Sequence, residues 1–134
     1  MTDDMKARAR RAVKCDRWRW MPGMCTDDML LVVRQDASRR IQVTDGVTMW
    51  WRDSDSALPD FSDPATRGCL LALVREAVNI PHAVVEVRPM RDAWRGIVGA
   101  AHATETWVHL SNWIAALTPE LAEVSALIDA LEAA

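Results

Sequence analysis

Two helix start signals divide this chain and constrain its fold more than any other feature. At Asp63-Pro64, and again at Thr118-Pro119, a residue that caps helix N-termini stands directly before a proline, which favours the first helical position. The sequence therefore predicts a central helix from about residue 64 to 78 and a C-terminal helix from about residue 119 to 133. Apolar residues recur at helical spacing in both segments: Leu70, Leu71, Val74, Ala77 and Val78 in the first, and Leu121, Val124, Leu127, Ile128 and Leu131 in the second.

Most of the remaining chain has the pattern of short strands grouped in hairpins. Because these strands do not alternate strictly with helices, we predict an α+β fold, in which an antiparallel sheet of about five strands is packed by the central and C-terminal helices. The 29–34 run is apolar on both faces, which predicts a central strand. A length of 134 residues predicts a single domain, 1–134. The strand patterns cover residues 18–24, 29–34, 39–44, 47–52, 82–88 and 93–101, and residues 104–110 fit either a strand or a helix start.

The N-terminus predicts a short basic helix over residues 3–15. Residues 1–19 carry seven basic and three acidic side chains, a net charge of +4, whereas the remainder carries nine basic and sixteen acidic side chains, a net −7. This polarity is typical of a protein with a charged partner, and also of a solvated helix face that the rest of the molecule balances. The candidate binding residues in this segment are Arg8, Arg10, Arg11, Lys14, Arg17 and Arg19.

The chain holds seven tryptophans with one phenylalanine and no tyrosine. Trp18 and Trp20 alternate with arginines, so on a strand we expect both indole rings to face the core and the arginines to extend the basic surface. Trp50 and Trp51 are adjacent and would face opposite sides of a strand, one in the core and the other exposed. Because exposed tryptophan favours ligand stacking and protein contacts, Trp51 is a further candidate binding residue.

Motifs that indicate catalysis or metal binding do not occur in the sequence. The three histidines and three cysteines lack the spacings of known metal sites, and the acidic loop over residues 53–63 lacks the calcium-loop pattern. We therefore predict a protein that is not an enzyme, with no catalytic residue, no metal site and no cofactor. No apolar run is long enough for a membrane helix and no secretory signal is visible, which predicts a cytosolic protein without a membrane partner.

Two segments resemble small uncharacterised proteins encoded in tailed-phage and prophage genomes. The first is Trp18-Arg19-Trp20-Met21-Pro22-Gly23-Met24, and the second is the central helix from Asp63 to Ala77, which is the more specific. The resemblance covers about a third of the chain and extends to its Ala130-Leu131-Glu132-Ala133-Ala134 end. It implies a phage origin and a site of action in the host bacterial cytoplasm. The family has no assigned catalytic residues, so the resemblance transfers no site.

The resemblance and the charge polarity favour a binding protein that inhibits a bacterial defence system, in the manner of an anti-CRISPR protein. The expected partner is a host defence protein or a nucleoprotein complex, and a homodimer is a further option. Two alternatives stay open. One is a nucleic-acid-binding protein that uses the basic N-terminal helix with Trp18 or Trp20. The other is a sponge for a nucleotide signal, in which tryptophan and arginine would enclose a base and its phosphates.

Overall fold

The structure is a computed structural model that describes residues 1–101 and 107–134. These residues form three α-helices, a short 3₁₀ helix and two antiparallel sheets of three and four strands. The predicted α+β class is therefore confirmed, although the strands form two sheets where we expected one sheet of about five. The chain divides into two compact units. The single-domain assignment stays a prediction.

The first unit, residues 1–14 and 18–69, begins with the basic helix α1, Asp3–Val13. Thr2 caps this helix, because its side-chain oxygen accepts a hydrogen bond from the Met5 backbone N–H at 3.2 Å. Met5, Ala9 and Ala12 are buried, so the helix packs through the face that these residues share. The basic side chains are left on the remaining faces.

The sheet of the first unit has the strand order β1-β2-β3, with β1 at Leu31–Gln35, β2 at Arg40–Thr44 and β3 at Met49–Asp53. Its inner face is apolar, because Val32 of β1 and Ile41 and Val43 of β2 are buried. The prediction of a central strand over residues 29–34 was wrong. β1 lies at the edge of this sheet, and its apolar run covers both the buried face and an exposed one.

The predicted strand over residues 18–24 was also wrong. This segment is irregular: only Gly23 and Met24 exchange backbone hydrogen bonds with Val32, and Gly23 has a φ of +94°. The Pro-Gly turn bends the chain before a ladder can form. The expected direction of the tryptophans nevertheless holds for Trp20, which is 3% exposed and whose backbone N–H donates to Gln35 Oε1 at 2.8 Å.

The chain passes from the first unit to the second within the central helix α2, Pro64–Val78, whose bounds match the prediction. Asp63 caps it, because its Oδ2 accepts hydrogen bonds from the Thr66 backbone N–H at 3.0 Å and the Thr66 hydroxyl at 2.7 Å. Gly68 lies in the second turn of this helix. It is exposed and has no atom within 4 Å of the position that a Cβ would take.

The second unit, residues 15–17 and 70–134, contains the four-stranded sheet and the C-terminal helix α3. Strand β4, Val84–Pro89, pairs with β5, Trp94–Ala101, and β5 also pairs with β6, Trp107–His109, and β7, Ile114–Ala116. Helix α3, Pro119–Ala133, has the predicted bounds and the predicted Thr118 cap. A Cβ at Gly96 of β5 would lie 2.5 Å from the Ala122 carbonyl oxygen, so α3 packs directly on this sheet.

Candidate functional site

The six basic residues predicted to bind a partner do not form one uniform surface. On α1, Arg10 is exposed, as is Lys14 at its C-terminal cap, and their spacing of four residues places them on the same side of the helix. Arg8 and Arg11 are half-buried. The two remaining arginines lie beyond the helix, and both Arg17 and Arg19 are exposed, but Arg17 is grouped with the second unit and Arg19 with the first.

Trp51, the remaining predicted binding residue, lies among arginines on the outer face of the first sheet. The guanidinium carbons of Arg34 and Arg40 are 5.0 Å and 6.0 Å from its ring centroid, within the range of cation–π contacts. The expectation that one of the adjacent tryptophans is in the core was wrong, since Trp51 is half-buried and Trp50 is 38% exposed. β3 is an edge strand, so neither of its faces is fully covered.

The outer face of the first sheet includes two cross-strand rows that bear on binding. Leu31, Thr44 and Met49 are register partners in one row, and Leu31 and Met49 are 48% and 57% exposed. The next row pairs Arg34, Gln42 and Trp51. Directly opposed residues project from the same face of an antiparallel sheet, so these side chains form a continuous surface of mixed apolar and cationic character. Two further exposed apolar residues lie in the adjoining loops, Met29 and Val47.

The thiols of the first unit are suited to packing more than to chemistry. Partial burial, followed by the charges of nearby Asp60, Asp63 and Asp28, raises the pKa of Cys25. Burial and the charge of Asp63 likewise raise the pKa of Cys69. Because the thiolate is the reactive form, a raised pKa lowers the reactivity of both side chains at neutral pH.

A groove of about 770 Å³ lies on one face of the second sheet, and its residues were not predicted from the sequence. Gly96 contacts α3, and Arg95 precedes it on the strand, so the Arg95 side chain projects from the face that α3 leaves uncovered. Arg88 is the register partner of Arg95 and projects from the same face. The other groove residues that bear on its chemistry are Glu86, Trp107, His109 and Trp113.

Cation–π contacts organise one end of the groove. The guanidinium carbon of Arg95 is 4.4 Å from the Trp113 ring centroid, and that of Arg88 is 5.6 Å from it. Arg88 also forms an ion pair with Glu86 at 2.6 Å. The Nε of Arg95 is buried and has no hydrogen-bond partner among the residues that the structure describes. This end of the groove therefore combines a flat aromatic ring with an arginine that has unused hydrogen-bonding capacity.

The other end of the groove is formed by Trp107 and His109. Their ring centroids are 6.5 Å apart in an edge-to-face arrangement. The Trp107 ring lies across Gly99, where the Cβ of any other residue would overlap it. The sequence shows that these aromatic residues are present. It does not show that β6 and β7 pair with opposite halves of β5, and this pairing is what brings the aromatic residues to one groove.

Within residues 1–101 and 107–134, no three His, Cys, Asp or Glu side chains are close enough together to hold a metal ion. Two of the three histidines fall in this range: His82 Nε2 lies 3.0 Å from the Ala101 carbonyl oxygen, and His109 lines the groove. His102 lies outside the described residues, as does the part of the predicted 104–110 segment before Trp107. The groups that the described residues bring together at these two surfaces are indole rings and guanidinium groups.

Comparison with known proteins adds no relative to this picture. No protein-family model, curated protein or solved structure matches the chain. Among the described residues, no helix combines the length and apolar character that crossing a bilayer requires.

Proposed function

We propose that this chain is a phage-encoded binding protein, not an enzyme, that inhibits a bacterial defence system by occupying the surface of a host defence protein or nucleoprotein complex in the host cytoplasm. The observation that carries the proposal is the outer face of the first sheet, where Trp51 lies between Arg34 and Arg40 beside exposed Leu31 and Met49. Tryptophan, methionine and arginine are enriched at the centres of protein interfaces.

The exposure of this face supports a protein partner. Large apolar side chains that adjoin one another on a surface mark interaction sites more often than scattered ones do. Trp51 supplies a wide aromatic contact, and the two arginines can pair with carboxylates or phosphates of the partner. The phage assignment and the defence target rest on the resemblance of the 18–24 and 63–77 segments to phage proteins.

The test is a phage plating assay in bacterial strains that each carry one defined defence system. Expression of the wild-type protein should restore plating of a targeted phage in at least one strain, and the protein should co-purify with a component of that system. Arg34→Glu and Trp51→Ala should reduce both effects, since truncating a central interface residue costs about 2 kcal/mol or more. Arg91→Glu is the matched control, because Arg91 is also an exposed arginine but lies in the turn between β4 and β5.

Three outcomes would contradict this proposal. The first is that expression of the protein changes phage plating in none of the strains. The second is that Arg34→Glu and Trp51→Ala both restore plating as well as the wild type does. The third is a homodimer in solution that Trp51→Ala dissociates, because the outer face would then bind a second copy of the chain. Sedimentation equilibrium of the wild type and the variant measures this directly.

A second candidate function, nucleic-acid binding by the basic segment, is favoured by the exposure of Arg10 and Lys14 on one side of α1. This function predicts an affinity for nucleic acid that falls steeply as the salt concentration rises, because phosphate contacts release counterions. Arg17→Glu combined with Arg19→Glu should weaken this binding and leave folding intact, since both side chains are exposed. A salt-independent affinity, or none at low salt, would exclude this function.

A further inference from the structure

The groove on the second sheet contains two tryptophan rings that the fold covers only in part. Trp107 and Trp113 are 38% and 37% exposed, although both line the same concave surface. β6 and β7, which bring them there, pair with opposite halves of β5. Partly exposed indole rings in a groove are suited to stacking on a planar ligand, and a nucleobase stacked on an aromatic side chain gains roughly 1–3 kcal/mol.

The same groove holds a cation that the fold does not neutralise fully. Glu86 is paired with Arg88, so its charge is already engaged. Arg95 is stacked on Trp113 and its buried Nε lacks a hydrogen-bond partner in the described part of the chain. A guanidinium fixed by an aromatic ring presents its remaining N–H groups in a fork, and this arrangement matches the oxygens of a phosphate.

We propose that this groove binds a small phosphorylated nucleoside, with the base against the indole ring of Trp107 and the phosphate at Arg95, which stacks on Trp113 at the other end of the groove. The volume of about 770 Å³ falls within the range of small-molecule sites, which favours a nucleotide over a nucleic-acid strand. The site belongs to the second unit and shares no residue with the outer face of the first sheet. The two proposals can therefore fail separately.

Gly99 is the positioning residue of this site. Because the Trp107 ring lies across it, any side chain at position 99 would move the ring out of the groove. Gly99→Ala should thus weaken nucleotide binding without removing a group that contacts the ligand. This variant complements truncation of Trp107, which removes the stacking surface itself.

Isothermal titration calorimetry of the full chain with ribonucleoside monophosphates and cyclic dinucleotides tests the proposal. At least one of these should bind, and Trp107→Ala and Arg95→Gln should each weaken it roughly tenfold or more, since stacking or a charged hydrogen bond is worth over about 1.4 kcal/mol. Arg91→Gln, which removes an exposed arginine outside the groove, should leave the affinity unchanged. Far-UV circular dichroism checks folding, and Arg95→Lys, which keeps the charge but loses the fork, replaces any variant that does not fold.

Ribose 5-phosphate and a single-stranded oligonucleotide complete the experiment. The parent nucleotide should bind more tightly than ribose 5-phosphate, because the sugar phosphate lacks the base. If the nucleotide and ribose 5-phosphate bind with equal affinity, the proposal is overturned in favour of a simple anion site. If the oligonucleotide binds more tightly than the mononucleotide, compared at equal nucleotide concentration, it is overturned in favour of a site for a nucleic-acid strand. It is equally overturned if no nucleotide of the panel binds at millimolar concentration, or if the affinity survives both groove substitutions.

Discussion

At the scale of single residues, Trp20 anchors the irregular segment that follows the basic helix. It is 3% exposed, its backbone N–H is bound by Gln35, and its ring meets the Trp18 ring edge to face at a centroid distance of 5.6 Å. Trp18 in turn packs edge to face on Phe61 at 6.1 Å. These three rings hold the 18–24 segment in the first unit without a strand ladder.

Trp20→Ala should therefore destabilise the protein by about 3–5 kcal/mol, the usual cost of removing a buried large aromatic side chain. Urea denaturation followed by circular dichroism measures the change. Trp18→Phe is the matched comparison and should cost much less, because it keeps an aromatic ring and removes a buried indole N–H that has no partner among the described residues. A free energy of unfolding for Trp20→Ala equal to that of the wild type would show that this ring does not hold the segment.

At the scale of secondary-structure elements, two glycines in regular structure have opposite surroundings. Gly96 in β5 faces α3 so closely that a Cβ would lie 2.5 Å from the Ala122 carbonyl oxygen, and a backbone atom cannot rotate away. Gly68 in α2 is exposed, with open space where a Cβ would be. One glycine permits close packing of a helix on a sheet, and the other only lowers helix propensity.

The same substitution should consequently have opposite effects at these two positions. Gly96→Ala should lower the free energy of unfolding by about 1–3 kcal/mol through overpacking, whereas Gly68→Ala should raise it by about 0.5–1 kcal/mol through helix propensity. Thermal and urea denaturation of both variants provide the measurement. Destabilisation by Gly68→Ala would reveal a contact at that helix position, and a neutral Gly96→Ala would mean that α3 moves freely on the sheet.

The helices could be predicted closely because their signals are local. Asp63 and Thr118 each cap a helix by accepting a hydrogen bond from a backbone N–H a few residues away, and the central and C-terminal helices start where these residues indicated. Strand β7 was missed because three residues, Ile114–Ala116, are too few to show a period.

The candidate sites were less predictable than the helices because they depend on pairing between distant strands. Trp51 was predicted from the sequence as a candidate binding residue, but its two arginine neighbours come from β1 and the start of β2, and only the register brings them together. The groove likewise joins Arg88 and Arg95 through β4–β5 pairing. Alternation along one strand assigns a residue to a face, but it does not assign the neighbour across the sheet.

At the scale of the whole molecule, carboxyl side chains make the free energy of unfolding depend on pH. Backbone hydrogen bonds, with that of Arg40 the largest contribution, lower the pKa of Asp36, which also accepts bonds from Ser38. In the β2–β3 turn, the backbone N–H groups of Thr48 and Val47 lower the pKa of Asp45 in the same way. Both carboxylates stabilise the turns of the first sheet only while they are ionised.

Acidification should therefore destabilise the protein. Because the folded pKa of each carboxyl lies below its unfolded value, its contribution is complete above the unfolded pKa of about 4 and is lost as pH falls through the folded pKa. The free energy of unfolding, measured by urea denaturation between about pH 7 and pH 3, should decrease at the acid end. The double variant Asp36→Asn with Asp45→Asn keeps one acceptor oxygen at each position but does not titrate, so its stability should fall less steeply than that of the wild type. Parallel acid profiles for the two proteins would show that these turn carboxylates do not contribute to the pH dependence.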